Sequence, residues 1–190
     1  RINDVTIEVN QDTGDVCDNE TYKQLSEFCT DESNKILYPQ IVDWFQEVRA
    51  LLRLHQQFVA RDDKDSIQLF PTLRKFGVHG SRGWLILNEV CEEISSIDDE
   101  DVQELKRIPV ALAAAGVIDR DVRPANIMRC RKTGRPMKID FGFAVECDAS
   151  GVTDPLPLCG TIKYASSKLL RELHAHFSQF GKMSKFTYQY

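Results

Sequence analysis

Apolar and polar residues alternate at the start of the chain, with Val5, Ile7 and Val9 set between Thr6, Glu8 and Asn10. A period of two predicts a strand with one buried face. Residues 11–20 are polar and read as a loop, and residues 22–28 as a short helix. From Pro39 the period lengthens. Ile41, Phe45, Val48 and Leu52 recur three or four apart, and Trp44, Leu51 and Leu54 widen the stripe. This spacing gathers them on one face of an amphipathic helix, which proline suits at its first turn. The helix is expected to end between His55 and Phe58, before a charged loop over residues 61–65.

Residues 70–76 and 84–90 are rich in strand formers and flank a glycine-rich segment, residues 77–83, so they predict a hairpin. An acidic stretch follows: Glu92, Glu93, Asp98, Asp99, Glu100, Asp101 and Glu104. Acids suit the positive end of a helix dipole, and Val102, Leu105, Ile108, Leu112 and Ala115 supply that helix with an apolar face. The acids are expected to be a solvated helix start. Pro109 is expected to kink the helix and Gly116 to cap it. A second hairpin comes next, with strands at residues 127–130 and 137–139 around Lys132-Thr133-Gly134.

Composition narrows the function classes. A chain of 190 residues is room for one domain or little more. Its net charge of −5 argues against a nucleic-acid binder. No apolar run approaches the roughly 20 residues a membrane helix needs, and no secretory h-region follows Asp4 and Glu8. The six cysteines form no C-x-x-C pair and are expected to be reduced thiols of an intracellular protein, cytoplasmic or nuclear. His174 and His176 are two apart, whereas a metal pair on a helix wants a spacing of four, so they read as exposed helix residues.

The second hairpin gathers the chemistry. It places Asn126, just before its first strand, beside Asp140, just after its second. Asp121 lies five residues before Asn126, in a loop stiffened by Pro124. Two acids and an amide oxygen thus converge. Oxygen donors of this kind suit magnesium, which is usually held by one or two carboxylates together with substrate phosphates. A nearby acid can also accept the proton of a hydroxyl nucleophile.

The run Asp119-Arg120-Asp121-Val122-Arg123-Pro124-Ala125-Asn126 resembles the protein-kinase catalytic loop, H-R-D-L-x-x-x-N. Asp140-Phe141-Gly142 resembles the kinase D-F-G, and Gly160-Thr161 followed by Tyr164 resembles the loop that closes the activation segment. The wording around them is most similar to divergent kinase-like proteins of fungi and similar microbes. The resemblance implies an α+β, two-lobed protein kinase-like fold with a degenerate N-lobe and a truncated C-lobe. Residues 1–34 would precede it, residues 35–90 would be a partial N-lobe and residues 91–190 a partial C-lobe. It implies ATP and Mg2+ as cofactors and a protein substrate with a serine or threonine hydroxyl. Asp121 would be the catalytic base, Asn126 and Asp140 would hold magnesium, and Arg123 would contact the γ-phosphate. Thr161 would steady Asp121. Glu47 would be the ion-pairing acid of the N-lobe helix, with Lys35 on a preceding strand as its partner. Glu89 to Cys91 would meet the adenine. Arg120 would bind a phosphate on the activation segment, for which Ser150 and Thr153 are the candidate acceptors, while Arg129, Arg131, Lys132 and Arg135 would be surface residues.

The chain also departs from the family pattern. It has no G-x-G-x-x-G, and Ser166-Ser167-Lys168 stands where the family has Ala-Pro-Glu. Asp119 replaces the histidine of the catalytic loop, and beside Phe141 it is expected either to point outward or to weaken the packing there. The aromatic terminus at residues 186–190 would leave the C-lobe cut short. These departures keep two alternatives open: a pseudokinase acting as a nucleotide-binding or interaction module, and a kinase-like small-molecule phosphotransferase.

Overall fold

The predicted N-terminal strand forms as β1 (Val5–Glu8), with Ile7 fully buried. The computed structural model describes residues 4–148, 151–153, 156–157, 160–165, 167, 170–171, 174 and 185–186. Helices α1 (Asn19–Thr30) and α2 (Glu32–Leu37) follow, each begun by an aspartate. Asp18 accepts from Thr21 N and Asp31 from Ser33 N, which satisfies amide donors that have no partner within the helix. The amphipathic stripe becomes α3 (Pro39–Ala60), and Asp63 caps a one-turn helix, α4 (Lys64–Ile67). The expected charged loop is therefore partly helical, because its second aspartate is positioned to bond Ser66 N.

β2 (Leu73–His79) and β3 (Arg82–Leu87) form the first hairpin, and β1 pairs with β2, so the antiparallel sheet runs β1-β2-β3. The strands penetrate the glycine-rich segment further than expected. Two of its glycines are bare for packing rather than for turning. A Cβ on Gly77 would lie 2.0 Å from Val5 O, and one on Gly83 would lie 2.1 Å from the Trp44 ring.

After β4 (Cys91–Glu93) comes α5 (Asp99–Ala115), opened by a capping box between Asp98 and Asp101 and closed by Gly116 at φ 68°. Pro109 sits on its exposed side, and the helix continues through it. The expectation of a wholly solvated acidic start also needs correction. Asp101 is buried and bonded by Arg129 at 2.6 Å, and Glu104 is bonded by Arg135 at 2.6 Å. Arg129 and Arg135 are thus not free surface residues but tie the second hairpin to α5.

That hairpin is β6 (Ile127–Cys130) and β7 (Pro136–Lys138), with β4 on its outer edge. A short strand before it, β5 (Val117–Ile118), pairs with one after it, β8 (Val145–Glu146). Last, β9 (Leu156–Pro157) pairs with β10 (Lys185–Phe186). The result is a mixed α+β protein.

One apolar cluster joins these parts. It holds Ile7 and Val9, Leu25 and Cys29 of α1, the inner face of α3, Phe76 of β2, Leu112 and Ala115 of α5, and Phe141. Residues 4–34 therefore share the core of the rest. Fully burying side chains of this size stabilises by about 1.5–3 kcal/mol each. An aromatic relay carries the core to the second hairpin: Phe58 stacks on Phe70 at 5.8 Å, and Phe70 meets Phe141 edge-on at 6.0 Å. Among the described residues no helix is long and apolar enough to cross a membrane.

Candidate functional site

Two strand pairings bring two loops side by side. The 119–126 loop runs from β5 into β6, and the 139–144 turn runs from β7 into β8. Because β6 pairs with β7 and β5 with β8, both loops are closed between the same two ladders. The register sets Ile127 opposite Lys138, and Ile139 N donates to Asn126 O at 2.9 Å. Asn126 and Asp140 therefore flank the open end of the hairpin, as their spacing predicts.

Asp121 is the most heavily bonded group there. It is buried, and its Oδ1 accepts from Thr161 Oγ1 at 2.7 Å and from Thr161 N at 2.9 Å. Its Oδ2 accepts from Asn126 Nδ2 at 3.1 Å and lies 3.0 Å from Arg123 Nε. Burial pushes the Asp121 carboxyl up, but the bonds from Thr161 and Asn126 and the Arg123 guanidinium outweigh it and hold the group below the usual carboxylate range. Asn126 Nδ2 also donates to Asp121 O at 3.0 Å, and Asn126 Oδ1 accepts from Arg123 Nε at 3.1 Å. Thr161 arrives from far along the chain because Gly160 permits it. At φ 94°, Gly160 packs so tightly that a Cβ would lie 1.8 Å from Arg120 O.

Asp140 is exposed, unlike Asp121, and its backbone is left-handed at φ 61°. That region costs a non-glycine residue about 1–2 kcal/mol, less for aspartate than for most. Bonds on several sides hold it. Phe141 N donates to Glu47 Oε1 at 3.3 Å, Gly142 N donates to Asp140 Oδ1 at 3.3 Å, and Lys138 Nζ donates to Asp140 O at 2.7 Å.

Several expected partnerships are replaced by others. Lys35 is not on a strand; it lies on α2, exposed, and pairs with Glu32 at 2.6 Å. The polar residues before it cap and open a helix, which is why no strand forms. Glu47 does reach the site from α3, where it accepts the Phe141 amide rather than pairing with Lys35. Burial pushes its carboxyl up, and the nearby Asp140 charge adds to this. Asp119 neither points outward nor disrupts Phe141: its side chain is buried and its Oδ2 lies 3.1 Å from Lys138 Nζ. Arg120 donates to Phe143 O at 2.8 Å, tying the 119–126 loop to the 139–144 turn. Glu89 accepts from Thr72 N and Thr72 Oγ1, and Cys91 Sγ lies 3.7 Å from Met137 Sδ; both stand where the first sheet hands over to the second. Thr153 is buried, while Ser150, Ser166, Lys168 and His176 lie outside the described residues.

Sequence reasoning missed Lys138 and Glu146. Glu146 accepts from Arg49 at 2.8 Å and lies 3.6 Å from Arg53, so α3 grips the segment after the 139–144 turn. The signal for Arg49 and Arg53 was their four-residue spacing on the polar side of α3. An apolar cavity of about 740 Å3 opens between α5 and the second hairpin, lined by Ile97, Leu105, Ile108 and Val122 among others. Asp121, Asn126 and Asp140 do not line it.

The donor set accommodates a magnesium–phosphate group in part. Asp140 offers an exposed carboxylate, and Asn126 Oδ1 keeps a second lone pair beyond its bond to Arg123. Compared with protein-family models and with curated proteins, the sequence matches neither.

Proposed function

We propose that the chain carries the phosphotransfer centre of a protein kinase-like domain, moving the γ-phosphoryl group of ATP to a serine or threonine hydroxyl of a protein. The observation that carries this reading is the Asp121 carboxylate, buried yet held ionised by Thr161, Asn126 and Arg123, with its partner Asn126 and Asp140 flanking the open end of one hairpin. Phosphoryl transfer through a loose transition state asks little covalent chemistry of the protein and much positioning. An acid held below the usual range suits such positioning, because it stays charged and orients the attacking hydroxyl rather than acting as a strong base. Asp140 and Asn126 would hold the magnesium, which supplies charge neutralisation on the phosphates. Arg123, now spanning Asp121 and Asn126, would turn to a phosphate oxygen, a bidentate acceptor that suits guanidinium.

One observation favours a second reading, a pseudokinase that binds nucleotide or partners without transfer. Glu47 is bonded to the Phe141 amide while Lys35 pairs elsewhere, so the lysine–glutamate pair that activity would require is not made by these two residues.

The test is a thermal melt with ATP, with and without magnesium, on the wild type, Asp140→Asn and Asp121→Asn, alongside transfer of labelled phosphate to a serine/threonine peptide library. Saturation a hundredfold above Kd adds about 2.7 kcal/mol, several degrees in Tm. The expected result is a magnesium-dependent rise lost in Asp140→Asn, and label transfer lost in Asp121→Asn. A rise without transfer in the wild type selects the pseudokinase reading. No rise on a chain that melts cooperatively overturns the transfer reading and leaves the pseudokinase as an interaction module only.

A further inference from the structure

Lys138 is an unusual residue to find in a core. It is 1% exposed, on a strand whose neighbours Pro136 and Met137 are also buried. An ammonium removed from water must have every donor used and its charge met. Here two of the donors are hydrogen-bonded and the charge is met by an ion pair. Lys138 Nζ donates to Ile139 O at 2.6 Å and to Asp140 O at 2.7 Å, and its third direction faces Asp119 Oδ2 at 3.1 Å. It also stands 4.7 Å over the centre of the Phe141 ring, on the attractive face of the π system.

Asp119 is equally committed. Its Oδ1 accepts the Asp121 backbone amide at 3.0 Å. Its Oδ2 is buried with no hydrogen-bond partner of its own among the described residues, so the Lys138 charge is what compensates it. The two side chains thus form a bridge: Asp121 amide, Asp119 carboxylate, Lys138 ammonium, Asp140 carbonyl. Its ends are the backbones of the two acids of the candidate site. The carbonyl it grips belongs to the residue with the left-handed backbone, whose carboxylate is left facing solvent.

We propose that Lys138 and Asp119 are a positioning pair: the lysine pins the Asp140 backbone in its left-handed conformation, and the aspartate couples that conformation to the Asp121 loop. As positioning residues, both act through the backbone of the two loops. The role in metal and nucleotide binding rests on the phosphotransfer reading above, but the hold on the 139–144 turn does not.

The test uses Lys138→Met, Asp119→Asn and the double variant Asp119→Asn/Lys138→Met, all close to wild type in volume. Three readouts are taken: Tm without ligand, hydrogen–deuterium exchange of residues 139–144 by mass spectrometry, and Mn2+ binding in the presence of ATP by electron paramagnetic resonance. Lys138→Met leaves a buried carboxylate unpaired and Asp119→Asn leaves a buried ammonium unpaired, so both lower Tm. The double variant removes both charges, and neutral replacement of a buried pair is often tolerated, so most of the Tm returns. The carbonyls of residues 139 and 140 still lack their donor. Exchange over residues 139–144 is therefore expected to stay at least about tenfold faster than wild type, and Mn2+ binding about tenfold or more weaker, in a protein of near-normal Tm. Recovery of wild-type exchange together with Tm overturns the proposal, because the pair would then be structural only. If the double variant does not fold, Asp119→Asn decides. There Lys138 keeps both carbonyl bonds, and exchange at residues 139–144 should rise only in step with the core; an early local rise overturns the lysine's role. A wild type that binds no Mn2+ with ATP refutes the phosphotransfer reading, and the exchange data still judge the pair.

Discussion

Thr161→Val isolates the interaction on which the candidate site most depends. The substitution keeps the side-chain shape and removes one donor, Oγ1, which reaches Asp121 Oδ1 at 2.7 Å. The second bond from Thr161, through its backbone amide at 2.9 Å, is untouched. A hydrogen bond to a charged group contributes about 1.5–3 kcal/mol. The added methyl returns less than about 0.8 kcal/mol, because Thr161 is only partly buried. The net loss expected near neutral pH is about 1–2 kcal/mol, which at an ordinary urea slope lowers the unfolding midpoint by roughly 0.5–1 M. The pH dependence sharpens the test. Asp121 is held below the usual carboxylate range in the folded protein, so its contribution is present above the unfolded value and is lost as pH falls through the folded one. Thr161→Val removes one cause of that depression. The gap between wild type and variant should be widest at pH 7 and should narrow as pH falls through the folded-state value, since the unfolded chain titrates alike in both. Urea melts at pH 7, 5 and 3 read this directly. Equal midpoints at pH 7, or a gap that widens as pH falls, would refute the assignment of Thr161 as the group that holds Asp121 charged.

Two further outcomes follow from the same geometry. Gly160→Ala forces a Cβ to within 1.8 Å of Arg120 O at a φ of 94°, so the segment must retreat and carry Thr161 away from Asp121; Tm should fall at least as far as in Thr161→Val, and an unchanged Tm contradicts the close packing. Glu47→Gln keeps an acceptor for the Phe141 amide and removes a buried charge beside Asp140. Since burial raises the Glu47 carboxyl, the wild type loses stability as pH rises from the unfolded value through the folded one, and the variant's relative stability should grow across that window. Urea melts from pH 4 to pH 8 in which the variant is less stable at the alkaline end would contradict this.

Much of the fold was legible because its elements announce themselves locally. The strand at Val5 to Glu8, the α3 stripe and both hairpins follow from periods of 2 and 3.6 and from turn residues. What failed was the reading of residues whose reason lies elsewhere in space. Gly77 and Gly83 look like turn residues, yet Val5 and Trp44 pack where their side chains would be. Asp31 and Asp63 look like loop charges, yet each caps a helix. Lys35 looked like the end of a strand because Ile36 and Leu37 follow it. Both of those side chains are exposed, and the Asp31 cap decides for a helix.

The candidate site divides along the same line. Asp121, Asn126 and Asp140 could be brought together from the sequence because a hairpin of known length fixes which residues flank its open end, and register is a local property. Thr161 could be named only through resemblance, since nothing in its own neighbourhood points to residue 121. Lys138 escaped both routes. A single cation between Met137 and Ile139 has no periodic signature, and a strand of alternating faces gives it an equal claim to solvent. Its buried place becomes intelligible only with Asp119, nineteen positions earlier, where the family pattern has a histidine. Taken apart, an acid in the wrong place and a lysine in a core strand each look like damage to the site. Together they neutralise one another, while the lysine's bonded donors go to the Ile139 and Asp140 carbonyls, so the departure from the pattern is a paired one. Loss of either member would leave the other as an uncompensated buried charge, at a cost of about 3–5 kcal/mol. The pair therefore links the backbones of Asp121 and Asp140 through groups that can be replaced only together.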